Sequence, residues 1–562
     1  MEERRLLIAL ALSLLVLTAW RYLVAPPTPP ESAAPAGTTP AASTPATAVP
    51  APGPRATVAP APVAKPSPVA PPAAAVGDER ERRVEVDAPD VAVAFTNRGA
   101  RLISWKLKRF RDAEGREEEM VQAAREGPRP LDIQTGDAAL DAKLQDALYR
   151  ASSESVTVTR EGGELAFRFA EGDVEVRKQL HFEPQGYLAS ISVEVRRQGQ
   201  AIPVRLLWGP GLGNPTPAEK EIRGYQPPAA VALTPEGVLH VAPEKLASPR
   251  PLPDLSWVGI DSHYFAALLV PPGDRGAGEL HSLAASAPTG ARTPEPVAAL
   301  DMGTSGQPAA LYVGPKDYTS LARLGRGLSR IVDVGDWIGP IVVVLMKLLR
   351  WVHTHIGNYG WSIVALTVLI NLAMSPLRHY SIATGVKMAK IAPEMKVIQE
   401  RYRGVGLRDK RYEQMQREMA ALYAKHGMSM GTQMAVGCLP ILLTMPFLFA
   451  FYKVLQVSIE LRGAPFVWIP DLSAKDPLFI TPVLMGASML LMQRMTPTAM
   501  DPGQQRMMTI MPLVFMVMFF AAPAGLNLYW LASNVCSIAQ QAVTQRIIRG
   551  EAPAPKAGRR QK

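Results

Sequence analysis

WSIVALTVLINLAMSPLR, residues Trp361 to Arg378, reads as a membrane-spanning helix with one polar stripe. Thr367, Asn371, Ser375 and Arg378 recur at steps of four, four and three. At about 3.6 residues per turn those steps stay on one face. Polar side chains in a spanning helix turn towards a bundle interior or a water-filled cavity rather than lipid. The 17 residues from Gly360 to Pro376 reach only about 26 Å, against a hydrocarbon core of roughly 30 Å. Spans this short thin the bilayer around them.

Downstream, four more apolar segments follow: Met434–Val457, Pro477–Met492, Met507–Pro523 and Leu526–Gln541. Polar stripes return on two of them, as Gln433, Gly437 and Thr444, and as Asn527, Trp530, Asn534, Ser537 and Gln541. A single Ser, Thr or Asn at such a position often serves only to join helices. Several aligned stripes favour a hydrated groove open to the cytoplasm. Methionine is abundant beside them, at Met485, Met489, Met492, Met495, Met507, Met508, Met511, Met516 and Met518. A methionine stripe is more often plain core, but next to a polar groove it suits a slide for unrelated apolar segments. The last five spans contain no Asp or Glu, so they hold no proton relay. The chain has no Walker loop, dinucleotide fingerprint or metal cluster, and no cofactor or metal is expected. Its task is to lower a barrier, not to pump, and no enzymatic role is expected.

Between the organising helix and these spans, residues 379–429 are soluble and basic. Met388, Ile391, Met395 and Ile398 recur at helical spacing, as do Tyr412, Met415, Met419 and Leu422. With Gly404-Val405-Gly406 as the turn, they predict an antiparallel helical hairpin with a short coiled-coil seam, bent near Pro393. The excess of Lys and Arg places the hairpin in the cytoplasm. On the other side, residues 317–359 predict interfacial helices. In Trp337–His355 the cations Lys347 and Arg350 share one face, while Leu345, Leu348, Leu349 and Val352 gather on another. His353 and His355 point about 200° apart on such a helix and make a poor chelate.

The N-terminal part is of another kind. Residues 1–24 predict an uncleaved transmembrane signal anchor, with a cleaved signal peptide as the alternative. Residues 25–77 hold 16 of the chain's 53 prolines and form a tether rather than a fold. Residues 78–316 alternate in short runs with turn signals, including Arg83–Asp87, Val91–Thr96, Leu102–Lys108, Val174–Phe182 and Val204–Trp208. That pattern predicts an antiparallel β-sandwich, with one helical piece near Ala138–Arg150. Its scattered histidines, His181, His240, His263 and His281, show no catalytic or metal spacing. The organising helix then occupies 360–378, four further transmembrane helices 430–545, and a basic tail 546–562.

The anchor, the organising helix and the four later spans make six, which returns the C-terminus to the cytoplasmic side of the N-terminus. The net charge of +10 over 562 residues sits in clusters flanking apolar spans. This suits a membrane protein and not a DNA binder. Cys438 and Cys536 both lie in apolar segments and read as small buried hydrophobes. Two other functional classes stay open on these grounds. One is a multi-pass transporter or channel; the other is a membrane-tethered periplasmic carbohydrate enzyme or binding module.

Several stretches carry a family resemblance. They are LYVGPKDY (Leu311–Tyr318), GNYGWSI (Gly357–Ile363), MSPL (Met374–Leu377), PDLSAKDP (Pro470–Pro477), DPGQQRMMTIMP (Asp501–Pro512) and PAGLNLYWLASN (Pro523–Asn534). In the sandwich, FTNRGARLISW (Phe95–Trp105), WGPGLG (Trp208–Gly213) and DSHYFAA (Asp261–Ala267) belong with them. In this order they resemble the YidC membrane protein insertases of Gram-negative bacteria, within the Oxa/Alb superfamily. The resemblance implies a periplasmic β-supersandwich and a five-helix core beside the N-terminal anchor, in the bacterial inner membrane. It implies insertion of nascent membrane proteins, alone or with the Sec translocon, and a chaperone role. The cytoplasmic hairpin and basic tail would meet the ribosome or a targeting factor. Thr367 matches a groove threonine, and Trp530 stands where a substrate-contacting tyrosine is usual. The family's groove arginine is replaced by Asn371, which hydrates and hydrogen-bonds but attracts no charge at range. Arg378, two turns along, is the expected substitute.

Overall fold

The computed structural model describes residues 75–550, except 113, 123–126, 214, 216–219, 221–224, 287–291, 336, 406–408, 428–444 and 496–501. The expected anchor, almost all of the tether and most of the basic tail lie outside the described residues, as do Gln433, Gly437, Cys438 and Thr444.

From Arg83 to Pro315 strands are the dominant element among the described residues, in a ten-stranded sheet and two five-stranded sheets. Strict alternation builds much of it. Val174–Phe182 turns every second residue inward and pairs antiparallel with Gly163–Glu171 and Leu188–Arg197. One inward position is a lysine. Lys178 is wholly buried, and its Nζ donates to the carbonyls of Ala100 (2.6 Å) and Leu131 (2.8 Å). Burial pushes its pKa down to about 8.

Trp257–Asp261 and Phe265–Val270, in the middle of the large sheet, are buried at every position. Their second face is covered: Trp257, Ala266, Leu268 and Val270 pack on Leu321, Leu328, Ile331 and Val332. That explains why these strands read as continuous apolar runs rather than alternating ones. The expected helical piece forms as α1, Ala138–Asp146, with Asp137 accepting from the backbone N–H groups of Ala139 and Leu140.

The covering segment opens with α2 (Tyr318–Leu324), capped by Asp317. Then comes α3 (Gly339–Ile356), which buries Val342, Leu345, Met346, Leu349 and Val352. Leu348, expected on that apolar face, is exposed alongside Val344 and Trp351. The apolar surface wraps further round the helix than a two-faced reading allows. Arg350 is not a free interfacial cation either: its guanidinium bridges Asp317 and Glu460. Burial alone would push the Asp317 carboxyl up, but Ser320 and Arg350 hold it below its ordinary range. His353 stacks on Tyr359, with ring centroids 3.7 Å apart.

The organising stretch is not one helix. It divides into α4 (Tyr359–Ala373) and α5 (Ser375–Arg401), bent by 62°. Pro376 in the first turn of α5 has no N–H to give, and its ring opposes the carbonyl four residues back. Continuing α4 straight through is therefore costly, so the axis turns at Met374. Next come α6 (Lys410–Lys425), α7 (Met445–Val457), α8 (Ile480–Met495), α9 (Pro502–Phe519) and α10 (Ala524–Gly550). Among the described residues no single helix is long and apolar enough to cross a membrane alone, whereas the bent pair passes together. The helices share one apolar core: Leu345 and Leu349 of α3, Ile363 and Leu366 of α4, Phe451 and Val454 of α7, Met485, Phe519 and Leu528. Gly360 is needed there, because a Cβ would lie 2.1 Å from the Phe466 ring.

Candidate functional site

The polar stripes meet where α4, α5, α8 and α10 pack. Thr367 and Asn371 on α4 are buried. The Thr367 hydroxyl donates to the Ile363 carbonyl (2.7 Å), and Asn371 Nδ2 donates to the Thr367 carbonyl (2.8 Å). Gln540 of α10 donates its side-chain amide to the Asn371 carbonyl at 2.9 Å. On α10, buried Asn527 donates to the Phe519 carbonyl (3.3 Å), and buried Asn534 donates to Ser488 Oγ on α8 (2.9 Å). Gln541 is buried with them. These side chains join four helices through polar contacts inside an apolar core. The oxygens of the Asn371, Asn527 and Gln540 amides are buried with no protein donor. In hydrocarbon each such oxygen is costly unless something donates to it.

Because of the bend, Arg378 does not continue the α4 stripe as the spacing predicts. It leaves the axis with α5 and reaches α10, where its guanidinium donates to Ser537 Oγ. Ser537 in turn donates to the Ser533 carbonyl at 2.7 Å. The next residue on α5, His379, reaches about two turns further along α10, its Nδ1 lying 3.1 Å from Thr544 Oγ1. Ser375 sits half-buried at the bend itself.

Trp530 is half-buried, edge-on to Phe519 at 5.6 Å, and its neighbour Tyr529 stacks on Phe451 of α7 at 4.1 Å. The methionines divide. Met485 is fully buried and Met489 packs against the core, whereas Met511 and Met518 of α9 are exposed beside Ile510, Leu513, Val514 and Val517. That apolar face is too large for a water-facing surface.

Sequence reasoning missed Asp476, which closes the loop between α7 and α8. It is buried and accepts from Trp468 Nε1 (3.1 Å), from the backbone N–H of Leu478 (3.0 Å), and from the backbone N–H and hydroxyl of Thr481 (2.7 and 2.8 Å). Asp-Pro followed shortly by Thr just ahead of an apolar helix was the available signal.

Comparison with known proteins identifies the family. The family model described as "YidC periplasmic domain" matches residues 83–351, and "60Kd inner membrane protein" matches 351–551. A membrane protein insertase YidC of Geobacter metallireducens is 33% identical over 563 residues, covering 97% of this chain and 99% of that protein. One of Syntrophus aciditrophicus is 33% identical over 486 residues, covering 83% and 85%. A crystal structure described as active YidC insertase with the first transmembrane domain resolved covers 84% of this chain and 94% of that one, at 16% identity and a TM-score of 0.33. The β-sandwich is therefore the family's periplasmic domain and residues 351–551 its inner-membrane helical region: the chain belongs to the YidC family of membrane protein insertases.

Proposed function

We propose that the chain inserts newly made proteins into the bacterial inner membrane, alone or beside the Sec translocon, through a polar groove open to cytoplasm and lipid. The observation that carries this is the set of buried amide oxygens on α4 and α10 that lack a protein donor. Water or the polar backbone of a passing substrate can supply the donors. The cost of drawing a hydrophilic tail into the bilayer falls accordingly. The apolar segment of the substrate slides along the exposed face of α9, where Met511 and Met518 adapt to varied partners. In this reading the chain has six spans, with both termini and the α5–α6 hairpin in the cytoplasm. The hairpin and basic tail receive the substrate, the ribosome or a targeting factor.

Thr367, Asn371, Ser375, Arg378, Gln433, Thr444, Asn527, Trp530 and Asn534 are the proposed groove residues. A photo-crosslinker at position 367, 371 or 530 is expected to capture a nascent membrane protein arrested during synthesis. One at the outward-facing Leu369, which is 49% exposed, should capture lipid instead. Substrate adducts only from 369 would place the path outside the bundle.

Arg378 is the proposed receptor for acidic residues of the substrate tail, since its contact with Ser537 satisfies a donor but not a charge. Arg378→Gln is expected to slow insertion of an acidic-tailed substrate about tenfold, the worth of one charge-assisted contact. A neutral-tailed substrate should be nearly unaffected. Equal rates for both substrates in wild type and variant would remove Arg378 from the mechanism.

A further inference from the structure

Three sandwich motifs have no place in the groove: WGPGLG, DSHYFAA and LYVGPKDY. The fold brings them to one edge. Leu212, Gly213, His263, Tyr264 and Phe265 surround a cavity of about 20 Å³ together with Glu118. Lys316 of the third motif ties in through its backbone N–H to the Tyr264 carbonyl (2.7 Å) and through Nζ to Asp261 (2.9 Å). Into this edge reaches Arg462, from the loop after α7. Its guanidinium donates to Glu118 at 2.7 Å, and the two side chains are only 8% and 4% exposed. It also lies 5.2 Å from the centre of the Phe265 ring and 5.9 Å from that of Tyr264. Ile459, three residues earlier, is part of the sandwich core.

Other contacts tie this loop and α7 to the segment that covers the sheet. Glu460 pairs with Arg350 of α3, and Lys453 on α7 pairs with Asp333 at 2.7 Å. Those pairs are partly exposed, so breaking one leaves a solvated charge, whereas removing one partner of the buried pair leaves a charge stranded without water. Farther along α7, Phe451 stacks on Tyr529, the neighbour of Trp530. One short stretch of chain, from Phe451 on α7 to Arg462, thus carries contacts to the groove wall at one end and to Glu118 of the sandwich at the other.

We propose that Glu118, Tyr264 and Phe265, braced by Gly213 and Lys316 of the other two motifs, form a socket for Arg462, and that seating this side chain lets the sandwich position α7 against the groove. Arg462 is a positioning residue, and the claim rests on the insertase reading only for its insertion arm. The full-length chain in lipid vesicles tests it by two readouts, thermal unfolding and substrate insertion. Arg462→Gln is expected to split one unfolding transition into separate sandwich and helix transitions, because a buried carboxylate loses its partner. It should also lower insertion about tenfold and reduce crosslinking from position 530. Arg462→Lys keeps the charge but not the flat guanidinium over Phe265, and should fall between. Glu118→Gln with Arg462→Gln should be no worse than Arg462→Gln alone, since no buried charge is then left unpaired.

A single transition with wild-type insertion in Arg462→Gln overturns the socket, and so does strict additivity in the double variant. Split melting with unchanged insertion and unchanged crosslinking overturns the positioning role and leaves the insertase reading standing. Failure of the unsubstituted chain to insert any substrate would instead strike that reading.

Discussion

A chain lacking Ala389–Ala424 is expected to insert no substrate while its remaining helices stay packed. The deleted part is held mainly by itself. Leu422 and Tyr423 of α6 are buried, as is Ile391 of α5, and the Tyr423 hydroxyl lies 3.7 Å from the Met395 sulfur. Glu418 accepts from the Tyr402 hydroxyl (2.7 Å) and from Arg401 (3.0 Å), while Glu394 faces Lys425 and His426 at 3.6 and 3.4 Å. The contacts that fasten α5 to α10, through Arg378 and His379, lie before the cut. Removing the arm therefore deletes the proposed receiving surface without opening the core. Protease protection of a substrate in vesicles measures the first effect, and helical circular dichroism with a melting curve measures the second. Undiminished insertion by the shortened chain would refute the receiving role.

The second large effect is expected at Asp476. Asp476→Ala removes the acceptor for four donors at once and leaves Trp468 Nε1 and the Thr481 hydroxyl facing a cavity. A charged acceptor contributes about 1.5–3 kcal/mol per hydrogen bond, and losses within one network are not additive. A destabilisation of about 3 kcal/mol is therefore expected, with α8 starting out of place and insertion falling. Asp476→Asn keeps the shape and should lose about half as much. The carboxyl also fixes a pH dependence. Burial pushes its pKa up, but the Thr481 and Leu478 hydrogen bonds outweigh that and hold it below the ordinary carboxylate range. A depressed folded pKa contributes stability above the unfolded value, about 3.9, and loses it as pH falls through the folded value. The stability gap between wild type and Asp476→Asn should accordingly be full at neutral pH and close only in strong acid. A gap that stays constant across that range would show that the charge of Asp476 is not what matters.

Much of this was legible from residue order, for identifiable physical reasons. Strands with one face towards solvent, such as Val174–Phe182, carry their alternation openly, and the structure sets them at the expected positions. Trp257–Asp261 and Phe265–Val270 carry none, because both of their faces are covered; a continuous apolar run has no period to read. The stripe of Thr367 and Asn371 is real on α4, but spacing alone carried it through Pro376 to Arg378, where the backbone turns. Local patterns also could not announce the pairing of Glu118 with Arg462. Their partnership spans 344 positions, and only the tertiary fold brings them together.

The bend at Met374 has a mechanical consequence. Beyond it α5 runs through Pro393 as one helix of 27 residues, about 40 Å long at ~1.5 Å per residue. A helix of that length hinged at one end magnifies small rotations: about 15° at the pivot sweeps its far end by ~10 Å, one helix diameter. Pro376 fixes one of the torsions at the hinge, so few angles remain free to steer that sweep. Slight adjustments beside the buried polar cluster therefore become large displacements of the arm.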